Sequence, residues 1–128
     1  RHVLYVEDNE TNVEVMRGVL LQRPQIRLDV VTLGLDALQA ARRYRPDLIL
    51  LDMQLPDISG LELLRHFKKD DDVAAIPVIV VSADATPARM QQALTLGAVH
   101  YVTKPLALDE FLAALDEVLG NMDTRWAM

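Results

Sequence analysis

The sequence predicts an α/β fold: a doubly wound parallel sheet of five strands with helices on both faces. Three observations predict it. Short apolar runs alternate five times with stretches of helical spacing. Three of the runs, Val3–Val6, Leu48–Leu51 and Val78–Val81, are apolar throughout, as strands covered on both faces are. Four runs end on reactive polar side chains: Glu7-Asp8, Asp52, Ser82 and Lys104-Pro105. In open α/β sheets the ligand site lies just beyond the carboxyl ends of the strands. Three carboxylates, one hydroxyl and one ammonium are therefore expected at one rim.

Each element has its own justification. The first strand, Val3–Val6, leads to a helix over Thr11–Gln22 with Val13, Val15, Met16, Val19 and Leu20 on its apolar face. Arg23-Pro24 ends that helix. The second strand, Ile26–Val31, alternates apolar and polar residues, so it has one wet face or an edge position. Gly34 marks a turn, and the second helix carries Ala37, Leu38, Ala41 and Tyr44 before Pro46 blocks it. After the third strand, a loop over Met53–Ser59 leads to a third helix with Leu61, Leu64 and Phe67 on one face. Lys68–Asp72 reads as an exposed charged turn, and Pro77 opens the fourth strand. Thr86-Pro87 places an N-cap before a proline at the first helical position. That fourth helix carries Met90, Ala93 and Leu94, and Gly97 closes it. The fifth strand, Val99–Thr103, is short and mixed. The last helix is expected over Asp109–Leu119, stopped by Gly120. Uniformly apolar strands belong in the centre and mixed strands at the edges. With right-handed crossovers, the order 2-1-3-4-5 satisfies every constraint. It is the order of flavodoxin-like (βα)5 sheets.

The 128 residues suit one domain, with residues 1–120 as the folded unit and 121–128 as a tail or the start of a linker. The chain begins at Arg1, and a piece of a longer protein is expected. A composition of 51% hydrophobic and 25% charged residues excludes a disordered chain. No apolar run approaches the roughly 18 residues of a membrane span, and no signal peptide opens the chain. Cysteine is absent, which excludes disulfides and thiolate metal sites and favours a cytoplasmic location. The net charge is −6 without a basic stripe, which argues against direct nucleic-acid binding.

The acidic trio needs a counter-charge. Two carboxylates about 5 Å apart repel by roughly 3 kcal/mol at an effective dielectric near 20. Three in one pocket need raised pKa values or a cation. Mg2+ (or Mn2+) suits such a set, because it takes oxygen ligands and binds through one or two carboxylates plus phosphate. Asp52 is the candidate nucleophile, able to form an aspartyl phosphate. The plainer roles for it are a metal ligand only, or an N-cap. Ser82 can hydrogen-bond a phosphoryl oxygen, and Lys104 can place a point charge there. Taken singly these two would be a turn former and a surface lysine. Glu7-Asp8 alone would equally suit helix-capping acids. The three histidines, His2, His66 and His100, are far apart in sequence, form no ligand pattern and are expected at the surface.

These segments resemble a response-regulator receiver domain of two-component signalling. The resemblance rests on Val3-Leu4-Tyr5-Val6-Glu7-Asp8-Asn9, on Leu51-Asp52-Met53-Gln54-Leu55-Pro56 with Gly60, on Ile76-Pro77-Val78-Ile79-Val80-Val81-Ser82-Ala83, and on Lys104-Pro105. It implies that Asp52 is the phosphoacceptor. It implies Mg2+ on Asp8, Asp52 and the backbone carbonyl of Gln54, with Glu7 acting through a metal-bound water. Ser82 and Lys104 would hold the phosphoryl oxygens. Lys104-Pro105 would be cis. Ser82 and Tyr101 would form a switch acting on the fourth-helix, fifth-strand, fifth-helix face, and Gln54 and Asp84 would tune dephosphorylation. Such a domain catalyses its own phosphorylation and dephosphorylation but is a signalling switch rather than a metabolic enzyme. Ser59 and His100 depart from common receivers, where an acid or amide is frequent at the first position and an acid at the second.

The implied partner is a histidine kinase or a histidine phosphotransfer domain, with other domains of the same chain as further candidates. Glu7-Asp8-Asn9 followed by Asn12, and Ser82-Ala83-Asp84-Ala85 before Lys104-Pro105-Leu106, are similar to receivers attached to hybrid histidine kinases. A stand-alone receiver is the alternative, as is one cut from a regulator with an output domain. Three rival functions remain. A haloacid-dehalogenase-type phosphatase would need an Asp-x-Asp pair, but Gln54 stands where its general acid would be. A flavodoxin would need a hydroxyl-rich phosphate cradle, where Glu7-Asp8-Asn9 repels phosphate. A receiver-like interaction module that is never phosphorylated is opposed by the complete acidic trio, Ser82 and Lys104.

Overall fold

Alternation of side chains along five parallel strands divides the interior into two buried layers. In a computed structural model the elements run β1 (His2–Val6), α1 (Glu10–Leu20), β2 (Arg27–Val31), α2 (Gly34–Tyr44), β3 (Leu48–Asp52), α3 (Gly60–Lys69), β4 (Val78–Ser82), α4 (Pro87–Thr95), β5 (His100–Thr103) and α5 (Leu108–Ala127). The structure describes residues 1–127, with side chains through residue 120. The sheet order is β2-β1-β3-β4-β5, all parallel, as the sequence predicts. β3 and β4 are buried throughout, whereas β2 and β5 are only partly covered, as edge strands are.

One layer holds Leu4, Val6, Ile49, Leu51, Val78 and Val80 against Ala37 and Ala41 of α2, Leu63, Leu64 and Phe67 of α3, and Ala93 of α4. The other holds Val3, Tyr5, Leu48, Leu50, Ile79 and Val81 against Met16 and Leu20 of α1 and Phe111, Leu112 and Leu115 of α5. Each strand thus gives every second residue to each layer. Burying a Leu or Ile side chain is worth about 1.5–3 kcal/mol, so a one-residue slip of any central strand is strongly disfavoured.

Several local expectations are corrected. Val15, Tyr44 and Leu94 are exposed rather than part of the apolar faces, because those faces are narrower than the periodicity implied. Lys68 is not in a solvated turn. α3 continues through Lys69, and Lys68 Nζ donates to Ala74 O at 3.2 Å and Ile76 O at 3.1 Å. Gly34 is the first residue of α2 rather than a turn residue, and a Cβ there would fall 2.2 Å from Ile58 Cγ2. Gly120, expected to stop the last helix, lies inside α5. A mid-helix glycine costs only about 1 kcal/mol relative to alanine and does not forbid the helix. Trp126 lies outside the residues whose side chains are described. The histidines lie on β1, α3 and β5, and His2 is half-buried, packed edge-on to Tyr44 with Nε2 2.5 Å from Asp29 Oδ2.

The loop after β3 is fastened at both ends. Gly60 N donates to Met53 O at 3.0 Å, and Ser59 caps α3 by accepting from Glu62 N at 3.2 Å. Midway, the Asp57 carboxylate accepts from Gly34 N and Leu35 N, both at 2.9 Å. It caps α2 from across the fold, where Leu33, the residue before the helix, offers no capping side chain. Those two N–H groups hold the Asp57 carboxyl below its usual range.

A Cβ on Gly60 would sit 2.5 Å from Met53 Cα and 2.8 Å from Asp52 O, both backbone atoms that cannot swing away. Gly60→Ala is expected to destabilise by about 1–3 kcal/mol. Gly18, inside α1 with open space around it, is the control. Gly18→Ala is expected to stabilise by roughly 0.5 kcal/mol. Urea melts of the two variants check the opposite signs.

Candidate active site

Parity also decides which polar side chains meet. Glu7 follows β1 and stays on its ladder, with its N–H donating to Val31 O at 3.0 Å. It continues the Val3, Tyr5 series toward α1 and α5. Asp52 continues the Leu48, Leu50 series on the same side. Lys104 follows Val102, which packs in that layer, and its N–H donates to Ser82 O at 2.8 Å. The ends of β1, β3 and β5 therefore deliver two carboxylates and an ammonium to one side of the sheet. Lys104 Nζ lies 2.7 Å from Glu7 Oε1 and 3.5 Å from Asp52 Oδ1.

Asp8 completes the acidic set. One carboxylate oxygen from each of Glu7, Asp8 and Asp52 lies within 4.8 Å of the others. Glu7 is fully buried and Asp52 is 5% exposed, whereas Asp8 faces solvent. The set opens into a cleft of about 570 Å³ that Asn9, Asn12, Gln54, Ala83, Lys104 and Pro105 also line. Gln54 N donates to Asp52 Oδ1 at 3.3 Å. The Lys104–Pro105 peptide bond is cis.

Ser82 and Tyr101 stand on the opposite parity. Ser82 continues the Val78, Val80 series, and Tyr101 packs against the α2–α3–α4 layer. Ser82 is fully buried, and among the described residues it is not one that lines the cleft. Its Oγ accepts from Asp84 N at 3.1 Å, while Tyr101 OH donates to Asp84 O at 2.5 Å. Asp84 thus has both backbone polar groups taken. Its Oδ1 accepts from Thr86 N at 2.9 Å and Thr86 Oγ1 at 2.8 Å, and its Oδ2 lies 3.6 Å from Arg89 Nε. Bonds from the Thr86 N–H and hydroxyl, with the nearby Arg89 charge, hold its carboxyl below the usual range. Four of the five expected groups converge on the cleft, and Ser82 faces away from it.

Two buried carboxylates against one ammonium leave negative charge uncompensated. Burial, then the hydrogen bond and charge of Glu7, push Asp52 from 3.8 up to about 6 against the pull of Lys104. Glu7 moves the other way. Burial would raise it, but hydrogen bonds from Lys104 and Asp52 outweigh that and lower it. Glu7 is the ionised member of the pair, and Asp52 the member that takes up a proton. An oxygen-only donor set with excess negative charge suits a hard divalent cation.

Sequence reasoning passed over Tyr5. Its hydroxyl donates to Glu7 Oε1 at 3.2 Å from within the buried layer. The available signal was a lone hydroxyl in an otherwise aliphatic strand, two residues before Glu7 and so on the same face. Asn9 was also passed over. It caps α1 by accepting from Asn12 N at 3.0 Å, and its own N–H lies 3.4 Å from Glu7 Oε2.

A βαβ sheet of this order, with an acidic cleft and a lysine at its carboxyl end, defines a receiver-type domain. The chain matches the response regulator receiver domain family over residues 3–116, and it belongs to that family. It is 38% identical over 121 residues to the polar-differentiation response regulator DivK of Brucella anthropi, covering 94% of this chain and 98% of that protein. Among solved structures it is similar to the receiver domain of a sensor histidine kinase from Pseudomonas aeruginosa, crystallised with a magnesium ion in the active site cleft. That match has a TM-score of 0.84 and 29% identity, and covers 94% of this chain and 98% of that one. It is also similar to a phosphorylated cyanobacterial phytochrome response regulator, with a TM-score of 0.78 and 27% identity, covering 92% of this chain and 90% of that one. No described helix is long and apolar enough to cross a membrane.

The raised Asp52 pKa fixes the sign of a pH effect. Folding favours the protonated form, so this contribution is fully present below 3.8 and is lost as pH rises through about 6. Asp52→Asn removes the cost of ionisation. In EDTA it is expected to be more stable than the wild type by about 1–3 kcal/mol at pH 7.5. The gain should shrink toward zero near pH 4, as thermal melts at the two pH values would register.

Proposed function

We propose that Asp52 is the phosphoacceptor of this receiver domain and that a histidine kinase or histidine phosphotransfer domain is the donor. The observation that carries this reading is the placement of Asp52 beside both the Lys104 ammonium and the Glu7–Asp8 carboxylates in one cleft. An Asp52 oxygen attacks the phosphorus of a phosphohistidine. The new P–O bond forms as the P–N bond breaks, and the imidazole leaves. Such a transfer asks the protein for positioning and charge neutralisation more than for covalent chemistry. Lys104 supplies positive charge to the phosphoryl oxygens, releasing part of its hold on Glu7.

Mg2+ (or Mn2+) fits the donor set, with Asp8, Asp52 and the Gln54 carbonyl as ligands and Glu7 acting through a bound water. When bound, it neutralises phosphoryl and carboxylate charge. The magnesium named for the Pseudomonas receiver supports this assignment, and the phosphorylated state named for the phytochrome regulator supports the covalent step. Ser82 and Tyr101 form the switch. Both are tied to the Asp84 backbone, so drawing the Ser82 hydroxyl toward a phosphoryl group disturbs the Tyr101 bond as well. The readout is the face made by α4, β5 and α5. A cytoplasmic location belongs to the same reading. A hybrid-kinase context, with a stand-alone receiver or one cut from a regulator with an output domain as the alternatives, rests on the motif similarity of the Glu7–Asn12 and Ser82–Leu106 segments.

Acetyl phosphate with Mg2+ is expected to add one phosphoryl group by intact mass, and the adduct should vanish in Asp52→Asn or in EDTA. An adduct that survives either change would overturn the assignment, and no adduct at all would favour the unphosphorylated interaction module. The two residues expected to tune dephosphorylation should separate. Gln54 lines the cleft, whereas the Asp84 carboxylate is turned onto Thr86 and Arg89. Gln54→Ala should change the aspartyl-phosphate lifetime. Asp84→Ala should change it by less than about threefold, far below the hundredfold typical of a group that orients attacking water. Decay of the phosphorylated mass peak checks both.

A further inference from the structure

Tyr5 lies one turn of the strand alternation below Glu7 on the same face, about 7 Å along β1. That spacing lets a phenol lie along the strand and reach the carboxylate. The ring is 1% exposed, so its hydroxyl needs a protein acceptor. It donates to Glu7 Oε1, the oxygen that also takes Lys104 Nζ. Burial and the neighbouring Glu7 charge raise the phenol pKa, which keeps it a neutral donor. Oε2 takes a long bond, 3.4 Å from Asn9 N. Glu7 is therefore held asymmetrically, with the Tyr5 hydroxyl and the Lys104 ammonium both on Oε1.

We propose that Tyr5 is a positioning residue for the cation site, its hydroxyl locking the Glu7 carboxylate so that Oε2 serves a cation-bound water. The inference rests on the reading of the cleft as a Mg2+ site. The terminal torsion of a glutamate is soft, and Lys104 alone fixes one contact rather than a plane. A hydrogen bond from Tyr5 supplies the second constraint on Oε1. The ring borders a small cavity of about 100 Å³ with Asn12, Val15, Lys104, Pro105 and Leu106, so Tyr5→Phe removes one oxygen without forcing neighbours to move.

Calorimetric Mg2+ titration of the full chain tests it, with wild type, Tyr5→Phe, Glu7→Gln and the double variant compared. Tyr5→Phe is expected to weaken Mg2+ binding by about tenfold, the usual cost of losing a hydrogen bond that orients a metal-site carboxylate. In the Glu7→Gln background it should have no further effect. Phosphorylation by acetyl phosphate should need more Mg2+ in Tyr5→Phe yet reach the wild-type rate when Mg2+ saturates. Unchanged Mg2+ affinity in Tyr5→Phe, or an equal loss in the Glu7→Gln background, would overturn the inference while leaving the cation site intact. No Mg2+ binding by the wild type would overturn both. A second measurement avoids the Tyr5 substitution: ring-labelled tyrosine in the wild type should show the Tyr5 resonances moving with Mg2+, and moving far less in Glu7→Gln. Equal movement in the two proteins would count against the inference.

Discussion

The rest of the structure depends on the burial of two like charges against a single ammonium. Glu7 and Asp52 occupy positions where the strand pattern would otherwise place an aliphatic residue. Lys104 is the cation that lets both remain inside. Removing one partner of a buried charge set typically costs several kcal/mol, because the remaining charge is left uncompensated. The arrangement is also incomplete by one positive charge, and burial together with the Glu7 hydrogen bond and charge raises the Asp52 pKa. A site that is electrostatically unfinished in the folded protein is one that a cation can complete.

The sheet makes this tension possible without spreading it. Strand alternation sends Glu7, Asp52 and Lys104 to the α1–α5 side and Ser82 and Tyr101 to the α2–α3–α4 side. Charged and neutral polar groups are thereby separated by one layer of backbone. They meet only around the β4 end, where Lys104 N bonds to Ser82 O. The residues just past the strands do the joining: Asn9 braces Glu7, Gln54 braces Asp52, and Asp84 bonds both Ser82 and Tyr101.

Much of this was legible in the sequence. Uniform apolarity marked β1, β3 and β4 as central, and mixed composition marked β2 and β5 as edges, a pattern that the known flavodoxin-like order satisfies. The polar residue at each strand end located the cleft. What could not be read was side-chain direction at the rim. Ser82 ends its strand as Asp52 does, but β4 is offset by one residue relative to β3, since Asp52 pairs with Val81. That offset turns Ser82 to the other face, and no one-dimensional pattern states it. Tyr5 was hidden because a tyrosine in a buried run counts as apolar until its hydroxyl partner is seen. Lys68 was misplaced because a charge run reads as solvated, although a long stem can bury while its ammonium meets carbonyls. Gly120 was overread as a stop, since propensity at one position yields to the helix around it.

The ammonium that reconciles the buried acids is encoded 97 positions after Glu7, and the Arg23–Asp116 pair joining the α1 exit to α5 spans 93. The site therefore closes a loop of 97 positions between Glu7 and Lys104. During synthesis the ribosome delivers both acids well before their counter-ion, and Lys104 meets them only once β5 is in place. Contacts of such separation raise the mean sequence distance between partners, which slows folding. Chemistry and assembly share one late step, so the residue that readies the cleft also reports that the chain is complete through β5.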